Sequence, residues 1–402
     1  SGRVDLLEWL LTNRPEAVHL DEETRKAMPQ MKSKVPDAMM KAAEYGHFLL
    51  LKYLVGQAPG VCPPKCMDWA LRIGHWPMVE WLAQGPCRES GPGREAVEFA
   101  AAGGQLALLE WVSLRYPALQ ATKGGMNWAA NFGHFQVVEW LHCCRKEGAD
   151  SSLTGLACRQ GHLDIVEWAC KTFPLHDTSS YGSRIVCPRD MINWSARYGQ
   201  LHVVEWVHFN LTDGQPHFED TSRNLEGATK DAMDWAAMNG HLDCIKFLHF
   251  NRQEGCTTSA FDMACMGGHL HVLEFLHEYR SEGGTQDCLG WAAMNAHLGV
   301  VEWLHRVRPH HEAQTLRPID NCVREKKRGG HLPTIEWLVR HNYRGSTDAM
   351  DWAASHGWLD VVEFLHQSGF KCTYAAMDKA AGAGALDIVE FLHWNRMKPD
   401  SP

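Results

Sequence analysis

Histidine is the residue type with the most chemical capacity in this chain: 24 of 402 residues. Eight follow a recurrent turn position, glycine in seven cases and Ala296 in one (His47, His75, His134, His162, His241, His269, His297, His331), and seven more fall nine residues after it (His142, His208, His249, His277, His305, His366, His393). Regular columns of imidazole in stacked layers suggest a metal ladder. Layers about 8–10 Å apart, however, cannot share an ion whose bonds to nitrogen are about 2 Å, so the columns read as structural. Cys62 and Cys66, with Cys87 further on, lack the second paired block that a zinc site needs. The vicinal pair Cys143–Cys144 reads as packing. A glutamate recurs eleven times, from Glu8 to Glu390, always at one position. Like charges at one place in every layer make a solvated face and not a set of acid–base catalysts. Six tryptophans (Trp69, Trp128, Trp194, Trp235, Trp291, Trp352) form one aromatic column and eight more a second. A ligand cage is conceivable, but apolar residues at helical spacing in every layer read as core, as do the paired methionines. No Gly-rich phosphate loop, HExxH, GxSxG or kinase motif occurs. No catalytic, cofactor-binding or metal-ligating residue is therefore expected, and the chain reads as not an enzyme.

The element that positions these residues is shown best by Asp231–Phe250, DAMDWAAMNGHLDCIKFLHF. Met233, Ala236 and Ala237 lie at i, i+3 and i+4, the buried face of a first short helix. Asp231 is the expected N-cap. Gly240 ends the helix in the left-handed conformation that glycine bears most easily. Leu242, Ile245 and Leu248 make the apolar stripe of a second helix. His249, at its end, is expected to be partly protonated beside the negative end of the helix dipole. About twenty residues of paired helix cannot bury these faces alone and need copies on either side.

The copies are present. The turn glycine recurs at Gly2, Gly46, Gly74, Gly104, Gly133, Gly161, Gly199, Gly240, Gly268, Gly330, Gly357 and Gly384, with Ala296 standing in once, which makes thirteen repeats. Six residues later comes Glu or Lys, then always an aromatic, and the shortest spacings are 27–28 residues. The first repeat is partial (1–11). Long connections are expected at about 12–36, 172–189, 209–230 and 307–320, with the flanks of 172–230 least regular. The repeat at Gly330 has a poor first helix, because Arg324–Arg328 replaces the Ala-rich stripe; that run reads as a solvated face. The last repeat is as apolar as the internal ones, which suggests a natural chain extending beyond these residues.

Composition bounds the rest. Length alone would suggest two or three domains, but a repeat array has no single core, so 1–402 reads as one continuous solenoid, elongated and curved. Net charge is −9 and pI about 6.2, which does not favour nucleic acid or an anionic membrane. Mean hydropathy is −0.32, and no run approaches the roughly 20 apolar residues of a membrane span. The fourteen cysteines are scattered along helical columns and read as free thiols in a reducing compartment, hence a cytoplasmic location, or the nucleus.

The wording resembles the ankyrin repeat. Asp231-Ala-Met-Asp-Trp-Ala-Ala-Met-Asn-Gly-His aligns with the first-helix motif Thr-Pro-Leu-His-x-Ala-Ala-x-x-Gly-His, and Leu242-Asp-Cys-Ile-Lys-Phe-Leu-His with the second helix. It departs in three ways. The Thr-Pro pair is absent. Asp or Asn replaces the motif histidine at Asp68, Asp234, Asp262, Asp351, Asp378, Asn127 and Asn193. The period is about five residues short of the usual 33 or so, so the finger hairpins should be clipped loops. The Trp-Leu-His and Gly-His-Leu wording resembles the large ankyrin families of protists such as oomycetes, and of giant viruses.

The resemblance implies an all-α, helix-turn-helix repeat solenoid that binds a protein partner through its concave face and inter-repeat loops. The alternative is a targeting or substrate-recognition module of a larger enzyme or adaptor. The resemblance places contacts on the two residues before each turn glycine: Arg72, Ile73, Asn131, Phe132, Arg159, Gln160, Arg197, Tyr198, Met238, Asn239, Met294, Asn295, Ser355 and His356. Aromatic, Arg and Met side chains are those that recognition surfaces favour. Phe132, Arg159, Arg197 and Tyr198 are the expected hot spot, and the two arginines imply a partner with acidic groups. No cofactor is expected.

Overall fold

The computed structural model of the chain describes residues 35–57, 62–86, 88, 91–119, 123–145, 149–150, 152–173, 188–212, 229–307, 317–324 and 332–396. The partial first repeat, the turn at Gly330 and most of the four long connections lie outside these residues. The described residues form 24 α-helices and no strand, so the all-α solenoid class and the absence of hairpin fingers hold for them. None of these helices is long and apolar enough to cross a membrane.

The chain divides into two compact units, Ser1–Cys187 and Pro188–Pro402. In the first the helix pairs are α1–α2 (Val35–Glu44, Phe48–Gln57), α3–α4 (Lys65–Arg72, Trp76–Gln84), α5–α6 (Ala96–Ala102, Leu106–Arg115), α7–α8 (Lys123–Asn131, Phe135–Cys144) and α9–α10 (Ser152–Gln160, Leu163–Thr172). The second begins with α11–α12 (Pro188–Arg197, Leu201–Val207), continued by a π-helical turn at His208–Thr212. It goes on with α13–α14 (Lys230–Met238, Leu242–Asn251), α15–α16 (Thr258–Gly267, Leu270–Tyr279) and α17–α18 (Cys288–Met294, Leu298–Val307). It ends with α19–α20 (Pro318–Arg324, Leu332–Arg340), α21–α22 (Thr347–His356, Leu359–Gln367) and α23–α24 (Tyr374–Ala383, Leu386–Arg396). Within each unit, first helices pack on neighbouring first helices more extensively than second helices pack on second helices. Small residues allow this approach: Met67-x-x-Ala70, Met126-x-x-Ala129-Ala130, Met233-x-x-Ala236-Ala237 and Met350-x-x-Ala353-Ala354 are buried almost completely.

The columns seen in the sequence are bonds between repeats. The Asp that replaces the motif histidine reaches forward to the start of the next first helix. Asp234 accepts from the Thr257 backbone N–H at 2.8 Å and its hydroxyl at 2.6 Å. Thr257 in turn caps α15 by accepting from the Ser259 N–H. Asp351 with Thr373 and Asp320 with Ser346 repeat the arrangement. Asn193 exchanges two 3.1 Å bonds with Thr229. Asp68 accepts from the Gly93 N–H at 2.8 Å. Thr229, and not Asp231, is therefore the N-cap of α13. Its extended backbone suits a cap, and Asp231 lies already inside the first turn.

The histidine after the turn reaches backward. His134, His162, His269 and His297 each place Nε2 3.1–3.3 Å from the carbonyl oxygen of Ala102, Asn131, Met238 and Met266, at the end of the preceding first helix. The same ring covers the previous turn. A Cβ on Gly240 (φ +78°) would fall 2.5 Å from the His269 ring. The histidine that ends a second helix meets the next repeat's aromatic edge-to-face, as in His142–Trp168, His249–Phe275, His277–Trp303 and His305–Trp337, with ring centres 5.2–5.6 Å apart.

Two expectations need correcting. The repeat at Gly330 has a sound first helix four residues earlier than the glycine implies. Asp320 takes the column position, and Cys322 and Val323, both fully buried, replace the Ala–Ala pair. Residues 325–331, with the basic run, follow this helix and lie outside the described residues. The charged form of His249 is disfavoured and not favoured: burial first, then the Arg280 charge, holds its pKa below the usual value.

Candidate interaction surface

First-helix tryptophans were expected in the core and are not there. The face that packs inward carries Met and Ala, and the Trp ring stands one helical step to its side. Trp128 is 48% exposed and Trp352 37%, and the others are half-buried. They stand beside the residues before the turn glycines. In the first compact unit the Arg72 guanidinium lies over Trp69 (5.2 Å), Phe99 (6.0 Å) and Phe132 (5.8 Å), rings from three successive repeats. Trp69 and Phe99 pack edge-to-face, and Trp128 stacks on Phe132. A pocket of about 270 Å³ opens here between Arg72, Glu95, Glu98, Phe99, Ala102 and Trp128. The backbones nearly touch. A Cβ on Gly103 would lie 1.8 Å from the Arg72 carbonyl oxygen, so only glycine fits.

The second compact unit repeats the motif. Arg197 lies over Trp194 (5.5 Å), Tyr198 (5.8 Å) and Trp235 (5.2 Å). Trp194 stacks on Tyr198, and Trp235 is 5.9 Å from Trp194. Asn239 Nδ2 donates to the Arg197 carbonyl at 3.0 Å. Further along, Lys379 sits 4.5 Å over Trp352, whose ring also stacks on His356.

The fourteen expected contact residues divide accordingly. Arg72 and Phe132 meet in one cluster, and Arg197, Tyr198 and Asn239 in another. Ile73 is exposed beside its turn; Arg159 and Gln160 are exposed, and Gln160 donates to Asn131 at 3.3 Å. Met238 and Met294 are half-buried, and Asn239 and Asn295 exposed. Ser355 and Asn295 cap the carbonyls of Trp352 and Trp291. Phe132 and Arg159 belong to the first compact unit, Arg197 and Tyr198 to the second.

Burial pushes the thiols of Cys170 and Cys244 up to about 12 and Cys256 to about 11, so they stay protonated and poorly nucleophilic at neutral pH. Among the described residues no group of three or more His, Cys, Asp or Glu is placed to hold a metal.

A family profile described as "Ankyrin repeats (many copies)" matches residues 233–277 and 350–393. These spans cover the first-helix, turn and second-helix pattern of α13–α16 and α21–α24. The chain carries ankyrin repeats in these two spans. Comparison with curated proteins gives no match. Among solved structures, similarity is found to "Crystal structure of the pentatricopeptide repeat protein PPR10 from maize", at 10% identity, covering 100% of this chain with a TM-score of 0.36. This ankyrin-repeat chain spans 64% of that chain's length. At so low a score the likeness carries no argument. The Arg–aromatic clusters of the ankyrin array had a signal in the sequence, Trp69-x-x-Arg72 and Trp194-x-x-Arg197. Spacing of i, i+3 puts both on one helix face.

Proposed function

We infer that the chain is a non-catalytic scaffold that binds a protein partner on its first-helix side, through the residues before the turn glycines and the loops beside them. Ankyrin repeats support a protein-interaction scaffold. The observation that carries the finer reading is the exposed aromatic strip on that side. Trp128, Phe132, Ile73 and Trp352 are 37–48% exposed there, although the fold offers each repeat a dry core. Rigid aromatics at a solvent face, with arginines beside them, are the side chains that dominate binding energies. First helices pack on one another more extensively than second helices do, which supports reading that side as the inner one of each compact unit, suited to wrapping a partner. Net charge of −9 favours a protein over nucleic acid or an anionic membrane, and buried, protonated thiols fit a cytosolic or nuclear setting.

The test is a combined substitution of Phe132, Arg159, Arg197 and Tyr198 by Ala, compared with the parent chain in affinity capture from cells of the source organism. A partner held by the parent and lost by the variant, with the melting curve kept, is the expected result. A partner retained in full by the variant would place the contact surface elsewhere.

A further inference from the structure

Most described arginines that are not fully exposed pair with an acceptor: Arg145 with the Leu119 carbonyl, Arg252 with Glu254 and His208, Arg280 with Glu282. Arg197 differs. Its guanidinium is half-buried among Trp194, Tyr198 and Trp235, and no described residue accepts a hydrogen bond from it or pairs with its charge. Rings hold the faces of the plane, so the five N–H donors in its rim are fixed in direction and meet no acceptor among the described residues. Loss of hydration on the ring-covered faces has no compensating anion. Such a cation, pre-positioned and with its flexibility already removed, matches the two oxygens of a carboxylate in bidentate geometry. A phosphate, with nearly twice the charge, is usually met by a cluster of arginines, and here there is one.

We propose that the Arg197 cluster is the anchor for an Asp or Glu side chain of an acidic peptide segment in the partner, with Trp194 and Trp235 covering the apolar residues beside that carboxylate. This deepens the scaffold reading and rests on it. Arg72 has the same aromatic setting, but Glu95 and Glu98 line its pocket; they repel an anion, so the acidic residue is read at Arg197. The segment's neighbouring contacts fall on Asn239, whose amide already fixes the backbone at Arg197.

The experiment is selection of a random twelve-residue peptide library, displayed on phage, against the full chain, against Arg197→Gln and against Arg197→Lys. Circular dichroism melts confirm that each variant folds. Peptides from the parent selection are then measured by fluorescence anisotropy beside copies with Glu or Asp replaced by Gln or Asn, and by phosphoserine. The parent pool should be enriched in Asp and Glu at one register. Both Arg197→Gln and the amide peptide should weaken binding at least about tenfold, roughly 1.4 kcal/mol. Arg197→Lys should recover only part, because an ammonium lacks the planar fork. An acidic excess that survives in Arg197→Gln, or a parent pool without one, overturns the proposal. So does a phosphoserine peptide that outbinds the carboxylate. The four-site Ala variant separates the two levels. Peptides lost on that variant but indifferent to Arg197→Gln overturn this anchor alone. Peptides indifferent to both overturn the first-helix face itself.

Discussion

Asp68 shows what a single column residue costs when its partner is incomplete. Asp234 and Asp351 each receive a backbone N–H and a hydroxyl from the next Thr, whereas Asp68 faces Gly93 and receives one N–H. It is 1% exposed. Burial, opposed by the Gly93 bond and reinforced by Glu95, pushes its pKa up to about 6. The folded state therefore keeps a proton that the unfolded chain releases near its usual value of about 4. Between those two values the unfolded state binds fewer protons, so this group's contribution to stability falls as pH rises from about 4 to about 6 and is level above. Asp68→Asn cannot ionise. Chemical denaturation across pH 4–7 should show the parent losing on the order of 2 kcal/mol relative to Asp68→Asn over that window, and parallel pH profiles would contradict the assignment. His269 and His241 carry the opposite sign. Burial lowers the pKa of His269 and His241, so protonation of the unfolded chain removes stability as pH falls below about 6.5. The His269 ring proton, followed by NMR, should titrate below that value.

At the scale of the helix pair, the turn glycine answers two demands. One is φ: Gly240 and Gly357 both stand at +78°, where a Cβ costs about 1–2 kcal/mol. The other is the next repeat's ring. A Cβ on Gly240 would meet His269 at 2.5 Å, whereas on Gly357 the nearest atom is Ala385 Cβ at 3.9 Å. Gly240→Ala should therefore destabilise by more than Gly357→Ala, by about 1–3 kcal/mol for the overpacking. Adding His269→Ala should relieve part of that excess, and equal costs at the two glycines would remove the ring from the account. Most of the helix pair was legible in the sequence, because period, turn glycine and Ala-rich stripe all depend on local spacing. Where a longer-range bond decides, spacing misled. The Gly330 landmark displaced the first helix by four residues, since the helix is placed by Asp320 reaching Ser346 26 residues on. Asp231 looked like a cap, yet Thr229 is held in place by Asn193 of the preceding repeat. The Trp column read as core because helical periodicity marks a face and not how deeply a neighbour covers it. The contact residues before the glycines were placed by resemblance. Their grouping around Arg72 and Arg197 depends on rings from neighbouring repeats, which no single repeat's pattern contains.

At the scale of the molecule, every column bond joins a repeat to its immediate neighbour: Asp to the next Thr or Ser, the turn His to the previous carbonyl, the terminal His to the next aromatic. Stability in such an array is a sum of intrinsic and nearest-neighbour parts, and it should fail locally. Thr257→Val tests this inside the second compact unit. It removes the α15 cap and a hydroxyl from the buried Asp234 carboxylate, leaving one N–H. The loss should be about 1–3 kcal/mol, because Asp234, whose pKa burial already raises, then lacks half of its compensation. Native-state hydrogen exchange should show faster opening in α13 through α16, with α21–α24 close to the parent. The reason is that no bond of the column type runs from Thr257 past its adjacent repeats, so the added strain has no path to the far helices except through the interfaces between them, each of which keeps its own bonds. An equal acceleration across α11–α24 would mean that the unit opens only as one cooperative block, and that the buried Met and Ala faces of the first helices, and not the polar columns, set its cooperativity.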